Sequence, residues 1–518
     1  MFNSSKDQLL PLPPSPAGGP KYHDFGEEIL GKSRDALELF LKAEGTLRDP
    51  AEVSLAEQVR RFVYERDRRK RLVDAAASYL KRKGPSLRRD YDVVLVGAGI
   101  HAASFVYTVK KSHPSLSVLI VEKSSAICST FFGLGDSLVL NSPTFSKVGL
   151  NSNIVPGHFV QLSDFDELAE RPFPTAKHFY ELATMVLFHA DAEIAFDFAV
   201  DDVSPDHGRY RVSSADSTVR AKSVVIANGM GEPNAASFVR DGSSDRIVDG
   251  DDFIAAQHHD HDFLERIRNK RVAVVGAGDT ANCVMECLLP LVYPHRRYGF
   301  PEEAPFLPRF IHWLGQPAKD VQDYYFANKH RYCHSGGVIE FFWNGEGPFD
   351  LSAEIWGSAK ERIEFVPEKL VSLSDKGDLV ELTTATTRFE TDWVVDCTGR
   401  SNPLSAALLR DSYEFVEGPI VLYGGQWDEM LDHFVSAPRF LDARRLACKL
   451  KGERVFLLGS ACPLDELIDD TEARNGSLRY QEDRSSLTNS KWSLEHTLPR
   501  TVAFAEKFVE TVNGLDAP

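Results

Sequence analysis

The sequence predicts an α/β protein with two nucleotide-binding units, and two glycine-rich turns carry most of that prediction. The first turn, Gly97-Ala98-Gly99-Ile100-His101-Ala102, follows a β-branched apolar run and precedes a helical stretch. The second turn, Gly276-Ala277-Gly278-Asp279-Thr280-Ala281, has the same setting. Other short apolar runs, each followed closely by a glycine, recur along the chain, as is typical of strands that alternate with helices.

Length and composition limit the class of protein. With 518 residues the chain exceeds the usual size of one hydrophobic core, so two or three domains are expected. A net charge of −17 argues against binding to nucleic acid or to an anionic membrane surface. No stretch approaches 18 uninterrupted apolar residues, so no transmembrane helix is expected. The seven cysteines are widely spread and predict no disulfide framework, and we expect a reduced, cytoplasmic protein.

Residues 1–88 are predicted to form a helical extension with a flexible start. The first twenty residues are rich in Pro, Gly and Ser and lack the apolar run of a secretion signal. A helical pattern follows, and Gly84 is its expected end. The basic run from Arg66 to Arg71 is interpreted as a solvated helix face, because acidic residues interleave with it and the whole chain is acidic.

The first turn has the features of a dinucleotide cradle. Gly97 permits the tight turn, Gly99 lets the backbone approach a pyrophosphate, and Ala102 allows close packing of helix and strand. The pyrophosphate would lie at the positive end of the helix. The next strand, residues 117–121, ends in Glu122, which is placed to accept hydrogen bonds from a ribose.

The second turn repeats this pattern, and its predicted cofactor-binding residues are Gly276, Gly278, Asp279, Thr280 and Ala281. Arg296 and Arg297 follow at roughly the spacing at which an acidic residue stands in an NAD site. Guanidinium groups there would favour a 2′-phosphate, which predicts NADPH. Alternatively, these arginines simply face water. Two dinucleotide sites in one chain imply electron transfer between two cofactors.

Three further motifs place the chain beside a known family. They are the segment 224–229 with Pro233, the segment Val394-Val395-Asp396-Cys397-Thr398-Gly399, and the run 455–459. The first two are similar to strands that cross between two domains, and the third to the strand that returns. Together with the two turns, they make residues 90–470 resemble flavoproteins with two dinucleotide-binding domains, especially the flavin-containing and N-hydroxylating monooxygenases.

This resemblance implies two Rossmann-like three-layer α/β domains, with the NADPH domain inserted in the FAD domain. Residues 89–235 would begin the FAD domain, 236–390 would form the NADPH domain, and 391–518 would complete the FAD domain with a C-terminal helix. FAD is expected at the first turn and NADPH at the second, with further cofactor contacts from Gly399, Gly459 and Ser460.

The segment Leu138-Val139-Leu140-Asn141-Ser142 resembles the monooxygenase segment whose asparagine lies beside the flavin. The resemblance implies that Asn141 is catalytic and helps to hold the oxygenated flavin and the substrate. Alternatively, Asn141 ends a strand through an Asx-turn. Lys147 lies nearby and is assigned to cofactor binding.

The sequence also departs from related patterns. Ser460 stands where disulfide reductases of this architecture usually carry Asp, and the near pair Cys283 and Cys287 is interpreted as two small buried hydrophobes on one helix face. An acidic stretch, 249–253, replaces the family's FxGxxxH fingerprint. The His/Asp cluster at 258–262 is expected to be a solvated loop, and no metal site is predicted.

Two segments leave alternatives open. The aromatic stretch 298–350 within the NADPH half would cover the active site, pack against a partner subunit or form ordinary core. A long polar connection, residues 465–498, precedes a last helix that is expected to begin near Pro499.

The function implied is an NADPH- and O2-dependent FAD monooxygenase. It would oxidise a heteroatom of a small molecule, preferably nitrogen, through a C4a-(hydro)peroxyflavin. An NADPH-dependent flavoprotein reductase with a non-oxygen acceptor and a non-enzymatic flavoprotein are the alternatives. The expected partners are the small-molecule substrate and O2, and a homo-oligomer is left open.

Overall fold

The structure, a computed structural model, contains one mixed sheet with a parallel centre and one parallel sheet. It describes residues 65–85, 90–136, 138, 162, 165–167, 174–233, 238–241, 245–259, 266–276, 279–288, 309–315, 363–410, 412–418, 420–428, 433–441, 445–467 and 494–515.

The first sheet has nine strands in the order β18-β21-β22-β6-β1-β2-β3, with the β4–β5 hairpin attached beside β6. Its strands β1, β2, β3, β6 and β22 run parallel to one another. All four residues of β2 and the last four of β1 are buried, as expected for central strands with both faces covered. The strand bounds are β1 Asp90–Val96, β2 Val118–Val121, β3 Glu193–Ala195, β4 Asp202–Asp206, β5 Arg209–Ser213, β6 Thr218–Ile226, β18 Tyr413–Glu417, β21 Arg445–Leu450 and β22 Val455–Leu457.

The second sheet has five parallel strands in the order β12-β11-β10-β16-β9. A four-stranded sheet, β15-β14-β13-β8, packs beside it through a shared apolar cluster. Two short pairs, β7–β17 and β19–β20, complete the described strands. The bounds are β7 Glu232–Pro233, β8 Val239–Asp241, β9 Ile247–Asp249, β10 Arg271–Val275, β11 Phe310–Leu314, β12 Ile363–Val366, β13 Ser372–Asp375, β14 Val380–Thr383, β15 Arg388–Thr391, β16 Trp393–Asp396, β17 Arg400–Ser401, β19 Ile420–Asp428 and β20 His433–Leu441.

Nine helices with given bounds lie in the described part of the chain. They are α1 Arg66–Lys83, α2 Ile100–Ser112, α3 Ser129–Leu134, α4 Ala176–His189, α5 Gly250–His259, α6 Asp279–Leu288, α7 Pro403–Leu408, α8 Leu464–Leu467 and α9 Leu494–Leu515. Helices α2, α4 and α9 share one apolar cluster with the first sheet. The chain builds most of the first sheet, forms the second and then returns, so the predicted insertion of one Rossmann-like unit in another is confirmed. The predicted domain boundaries stay predictions.

Helix α1 ends at Gly84, as predicted. The prediction of a solvated face for its basic run was wrong at Arg69, whose side chain is 1% exposed, whereas Arg66, Lys70 and Arg71 are exposed. The acidic residues near Arg69 in the sequence could not show this, because the carboxylates that pair with Arg69 come from distant parts of the chain.

Three other predictions need correction or a choice. Helix α9 begins at Leu494 rather than near Pro499, which lies inside it. His258 and His259 end helix α5 and are not in a loop, while 260–262 lie outside the described residues. Within the aromatic stretch, Phe310 and Trp313 belong to strand β11, and Trp313 is fully buried, so ordinary core is the correct alternative there.

Candidate functional site

The first turn joins β1 to α2 in a conformation that only glycine adopts easily. Gly97 has φ +99°, and a Cβ built there would lie 2.7 Å from the carbonyl oxygen of Ala227, at the end of β6. A Cβ on Gly99 would meet only that same oxygen, at 4.0 Å, so the surface at Gly99 is open. No side chain caps the start of α2, which leaves the amides of its first turn for a pyrophosphate.

Glu122 stands at the tip of β2, as predicted, and its buried carboxylate holds the turn. Its Oε2 accepts a hydrogen bond from the backbone N–H of Ala98 at 2.8 Å, and its Oε1 accepts one from Ser124 at 3.0 Å. A carboxylate has about four acceptor positions, so both oxygens retain capacity for ribose hydroxyls. The side chain therefore fits the predicted role and also fixes the turn.

The second turn repeats the first down to its backbone hydrogen bonds. Gly276 has φ +131°, and a Cβ there would overlap the carbonyl group of Cys397, at the end of β16. The N–H of Gly276 donates to Leu314 at 2.8 Å, as the N–H of Gly97 donates to Val121 at 2.8 Å. Cys397 donates to Val275 at 2.7 Å, as Ala227 donates to Val96 at 2.8 Å. The two units are duplicates, as the sequence predicts.

This equivalence locates the residue that corresponds to Glu122 in the second unit. Because Leu314 is matched with Val121, the next residue, Gly315, is matched with Glu122. The N–H of Gly315 bonds to Val366 at the end of β12, just as the N–H of Glu122 bonds to Ala195 at the end of β3. Arg296 and Arg297, which the sequence analysis assigned to this position, lie outside the described residues, and their part in NADPH binding stays a prediction.

Trp313 is a functional candidate that the sequence analysis missed. It lies on β11 with its side chain fully buried, and its indole N–H donates to the carbonyl oxygen of Gly276 at 2.8 Å. The indole therefore fixes the peptide on the carboxyl side of the turn glycine. The starts of α5 and α6 are also in close contact beside this turn, since a Cβ on Gly250 of α5 would lie 2.7 Å from the side chain of Thr280 in α6.

His101 joins the first turn to the returning strand. Its ring lies over Gly459, where a Cβ would come within 2.6 Å of Nε2, and Nε2 is 2.9 Å from the hydroxyl of Thr497 on α9. Burial lowers the pKa of His101 to about 4. The imidazole is therefore neutral at pH 7, and it brings the turn Gly459–Ala461, with Ser460, to the start of α2.

The two chain crossings between the sheets are bonded to each other. Asn228 and Asn402 exchange side-chain amide hydrogen bonds of 3.1 and 2.7 Å, and Asn402 also donates to the carbonyl of Gly229. Arg400 donates to the carbonyl of Gly231 at 3.1 Å and pairs with Asp251 at the start of α5. Strands β7 and β17 pair here, and Gly399, with φ +98°, immediately precedes β17.

Comparison with known protein families assigns the first half of this site. A sequence model described as pyridine nucleotide-disulphide oxidoreductase matches residues 91–286, which span the first cradle, the first crossing and the second turn. The prediction of an oxidoreductase from the flavoproteins with two dinucleotide-binding domains is thereby confirmed.

Solved structures of similar shape come from several enzymes. L-lysine 6-monooxygenase from Pseudomonas syringae is 15% identical with a TM-score of 0.47, covering 81% of this chain and 99% of its own. An ornithine N-hydroxylase from Kutzneria is 16% identical with a TM-score of 0.46, covering 83% and 100%. A bacillithiol disulfide reductase from Staphylococcus aureus is 11% identical with a TM-score of 0.46, covering 82% and 99%. Likenesses at this level decide nothing about activity. No curated protein matches the sequence.

Several predicted site residues of this oxidoreductase lie outside the described residues. They are Asn141, Lys147, Gly278, Arg296 and Arg297, together with the side chain of Asp279. The remaining ones occupy the two cradles and the crossings, and Ala102 and Ala281 are fully buried in the first turn of their helices, as close packing requires.

Cysteine, metal and membrane predictions are tested only in the described part of the chain. The five cysteines whose side chains are described are free thiols, and Cys283 is partly buried against the core of the second sheet. The side chain of Cys287 lies outside the described part. No group of His, Cys, Asp or Glu among the described residues could hold a metal ion. None of the described helices combines the length and the apolar character that crossing a membrane requires.

The residues present fit two dinucleotides. Each cradle has a glycine whose Cβ would collide with a crossing strand, so the backbone there can approach a ligand without a side chain in the way. At the first cradle Glu122 supplies the acceptor for a ribose. At the second cradle, Gly315 has no side chain and supplies no such acceptor. A 2′-phosphate there would therefore meet no repelling carboxylate at this position.

Proposed function

We propose that this chain is an NADPH- and O2-dependent FAD monooxygenase that oxidises a heteroatom, preferably nitrogen, of a small molecule. The overall reaction converts substrate, NADPH, a proton and O2 to the oxygenated substrate, NADP⁺ and water. The observation that carries this proposal is the duplicated cradle, since a chain with two matched dinucleotide sites is built to pass electrons from one cofactor to the other.

Cofactor preference follows from the two strand-end positions. Glu122 suits the unmodified ribose of FAD at the first cradle. Gly315 replaces the acidic residue that an NAD site uses to bind the 2′-hydroxyl, which removes the group that discriminates against NADPH. We therefore assign FAD to the first cradle and NADPH to the second.

The cysteines at the first cradle favour oxygen over a disulfide as electron acceptor. The N–H of Cys128 donates to Ala98 in the turn at 3.0 Å, and Cys462 follows the return turn. Burial raises the pKa of both thiols, with the nearby charge of Glu122 adding to the effect at Cys128. Thiol–disulfide relays need a thiolate, so these two residues are unsuited to that chemistry.

The chain's own residues bind and orient the cofactors and exclude water from them. When bound, FAD supplies the redox chemistry by accepting a hydride from NADPH and delivering electrons to O2. The amides of α2 and Glu122 hold its adenosine and pyrophosphate, and His101 keeps the return turn against that cradle. Asn141 is our proposed donor beside the flavin ring, where a preorganised polar group in a dry pocket suppresses wasteful release of hydrogen peroxide.

The test is NADPH oxidation with oxygen uptake over a panel of amino acids, primary amines and thioethers. We expect a yellow protein whose NADPH oxidation rises with one class of substrate, with one oxygen atom added to the product. Asn141→Ala should retain FAD and release a larger share of its electrons as hydrogen peroxide. Turnover that persists without O2, or a product that gains no oxygen, would refute the proposal.

The family match itself favours a second candidate, an NADPH-dependent reductase with a disulfide or another non-oxygen acceptor. The same anaerobic assay separates the two, because a reductase oxidises NADPH at full rate when given disulfides or quinones in place of O2. A colourless protein that cannot be reconstituted with FAD would exclude both enzymes.

A further inference from the structure

Helix α9 covers the helix that begins at the first cradle. The residues of α2 from Ile100 to Val109 are buried without interruption, so α2 is covered on every face along that length. Phe508 of α9 contacts Phe105 of α2 edge to face, with 5.4 Å between the ring centres. Helix α9 is therefore one of the surfaces that hold α2, whose first amides face the cradle.

Two long side chains fasten α9 to the first sheet. Nη1 of Arg500, a buried residue, donates to the carbonyl oxygen of Arg445 on β21 at 2.5 Å. Nζ of Lys507 donates to the carbonyl oxygen of Glu417 on β18. Both acceptors belong to the main chain, and the two donors lie about two helical turns apart. The bonds therefore fix the direction of α9 against the sheet as well as its position.

The return turn, Gly459–Ala461, lies at the same edge of the first sheet as the first cradle. Val96, at the end of β1, pairs with Ile226 of β6, and Leu457, at the end of β22, pairs with the same Ile226. The two parallel strands therefore end at one level. Dinucleotides bind beyond the carboxyl ends of such strands. A displacement of the return turn or of the start of α2 thus changes the same binding site.

His101 lies in the first turn of α2, and its imidazole fills the space between that turn, the return turn and α9. Nε2 would lie 2.6 Å from a Cβ on Gly459, and it lies 2.9 Å from the hydroxyl oxygen of Thr497. Both His101 and Thr497 are buried. A hydroxyl group can donate or accept, so Thr497 suits either neutral tautomer of the ring. Without that hydroxyl the buried nitrogen would lose this partner, which favours rotation of the ring away from Gly459.

We propose that Thr497 of the C-terminal helix is a positioning residue for FAD and that it acts through His101. Its hydroxyl holds the imidazole in the orientation that keeps the return turn against the start of α2, and α9 thereby slows the release of FAD. Thermodynamic linkage then requires that bound FAD also strengthens the docking of α9. The inference rests on FAD binding at the first cradle and not on the oxygenation of a substrate.

Release of FAD from the purified holoprotein tests this role. Thr497→Val keeps the β-branched shape of the side chain but removes the hydroxyl. The fluorescence of free flavin after dilution measures the rate of release. We expect Thr497→Val to release FAD about tenfold faster than the parent chain, because a buried hydrogen bond is lost. Thr497→Ser, which keeps the hydroxyl, should release FAD at a rate close to that of the parent.

Thr501→Val is the matched control for this substitution. Thr501 lies one turn further along α9 and is as buried as Thr497, but its hydroxyl donates to the backbone carbonyl of Thr497 at 3.1 Å, within the same helix. Removing that hydroxyl leaves the contact with His101 in place, so the release of FAD should match that of the parent. Equal acceleration in both valine variants would assign the effect to the packing of α9 in general and would overturn the inference.

Hydrogen exchange in the holoprotein locates the effect. The N–H of Cys462 bonds to the carbonyl oxygen of Gly459 at 3.1 Å and closes the return turn, whereas the N–H of Glu122 bonds to Ala195 at 2.8 Å within the sheet. In Thr497→Val the amide of Cys462 should exchange about tenfold faster, and that of Glu122 should be unchanged. The affinity of the second cradle for NADP⁺, measured by calorimetry, should stay within about twofold, which a general loss of folding would not leave intact.

The outcomes separate this inference from the proposed function. If the parent chain retains FAD and Thr497→Val releases it at the parent rate, the positioning role is wrong and the proposed function stands. A parent chain that cannot bind FAD would overturn both. If release accelerates as expected and no substrate is oxygenated, the role of Thr497 stands and the proposed function fails.

Discussion

His101 sits at the start of α2, with its imidazole against Gly459 and Thr497. Its pKa is lowered by burial from an ordinary 6.5 to about 4. Between these two values the unfolded chain binds a proton at this ring and the folded chain does not. The stabilisation from the neutral imidazole is therefore fully present above pH 6.5 and is lost as the pH falls towards 4.

The variant His101→Gln should lose this pH dependence. Glutamine does not titrate and can still bond to Thr497, so lowering the pH from 7 to 5 should reduce its free energy of unfolding by about 2 kcal/mol less than in the parent chain. Urea unfolding at the two pH values measures the difference. Parallel pH profiles for both chains would show that His101 is not buried as a neutral base.

We propose that Gly315 favours NADPH over NADH by lacking a side chain. It occupies in the second unit the position that Glu122 occupies in the first, as the matched backbone hydrogen bonds show. A carboxylate there would accept hydrogen bonds from a 2′-hydroxyl and repel a 2′-phosphate. This proposal ties coenzyme choice to one residue of the described chain.

Gly315→Glu should raise the KM for NADPH at least tenfold and leave the KM for NADH unchanged or lower, because the new charge meets only the 2′-phosphate. Steady-state NADPH and NADH oxidation give both constants. Gly315→Gln is the control of equal size without charge, and it should discriminate less. Equal effects of Glu and Gln on the two coenzymes would attribute the change to bulk.

At the scale of elements, helix α9 fixes α2 through a cluster of four aromatic rings. Phe504 is stacked against Phe105 of α2 at 5.9 Å between ring centres, and it contacts Phe456 of β22 and Phe508. All four side chains are buried. The C-terminal helix therefore holds both the helix that begins at the first cradle and the strand that returns to it.

Phe504→Ala should lower the free energy of unfolding by about 3–5 kcal/mol, because it removes a buried ring and leaves a cavity. Phe504→Leu, which keeps most of the volume, should cost less. Phe132→Ala is the control, since that ring is 54% exposed, and its effect should stay below about 1 kcal/mol. Denaturant titration followed by circular dichroism measures all three, and similar losses for Phe132→Ala and Phe504→Ala would contradict the packing.

At the scale of the whole molecule, the relation between the two cofactors depends on the paired crossings. Asn228 and Asn402 tie the outgoing crossing to the returning one, and Arg400 ties both to α5 through Asp251. A Cβ on Gly231 would overlap the backbone of Ser401, so the two segments are also in close contact. Hydride transfer requires the reacting atoms at near contact distance, so loosening this junction should slow it.

Asn228→Ala removes two hydrogen bonds of the junction and should slow anaerobic flavin reduction by NADPH about tenfold. Stopped-flow absorbance of the flavin measures the rate, and the dissociation constant of FAD should stay within about twofold, because the first cradle is untouched. Ser401→Ala, an exposed side chain on the same junction, is the control and should match the parent. An unchanged rate in Asn228→Ala would show that the amide pair does not set the domain geometry.

Local patterns were enough to predict the first unit and the duplication. Gly97 and Gly276 have positive φ because the turn requires it. Glu122 could be placed at the end of β2 because the strand, turn, helix and next strand of the first unit follow one another closely in sequence. The position of Gly315 could not be predicted, because β11 follows a long connection that no spacing rule describes. Asn141 and Lys147 lie outside the described residues, so their roles stay predictions.

The sequence by itself determined the two cradles, the crossings and the class of oxidoreductase, since each depends on residues near one another in the chain. Only the tertiary structure decided which residue matches Glu122, why Trp313 and His101 are buried beside glycines, and why Arg69 is not a surface charge. Those facts depend on contacts between residues far apart in sequence. The free energy of burying a polar or charged side chain depends on which partners surround it, and a local sequence pattern does not show those partners.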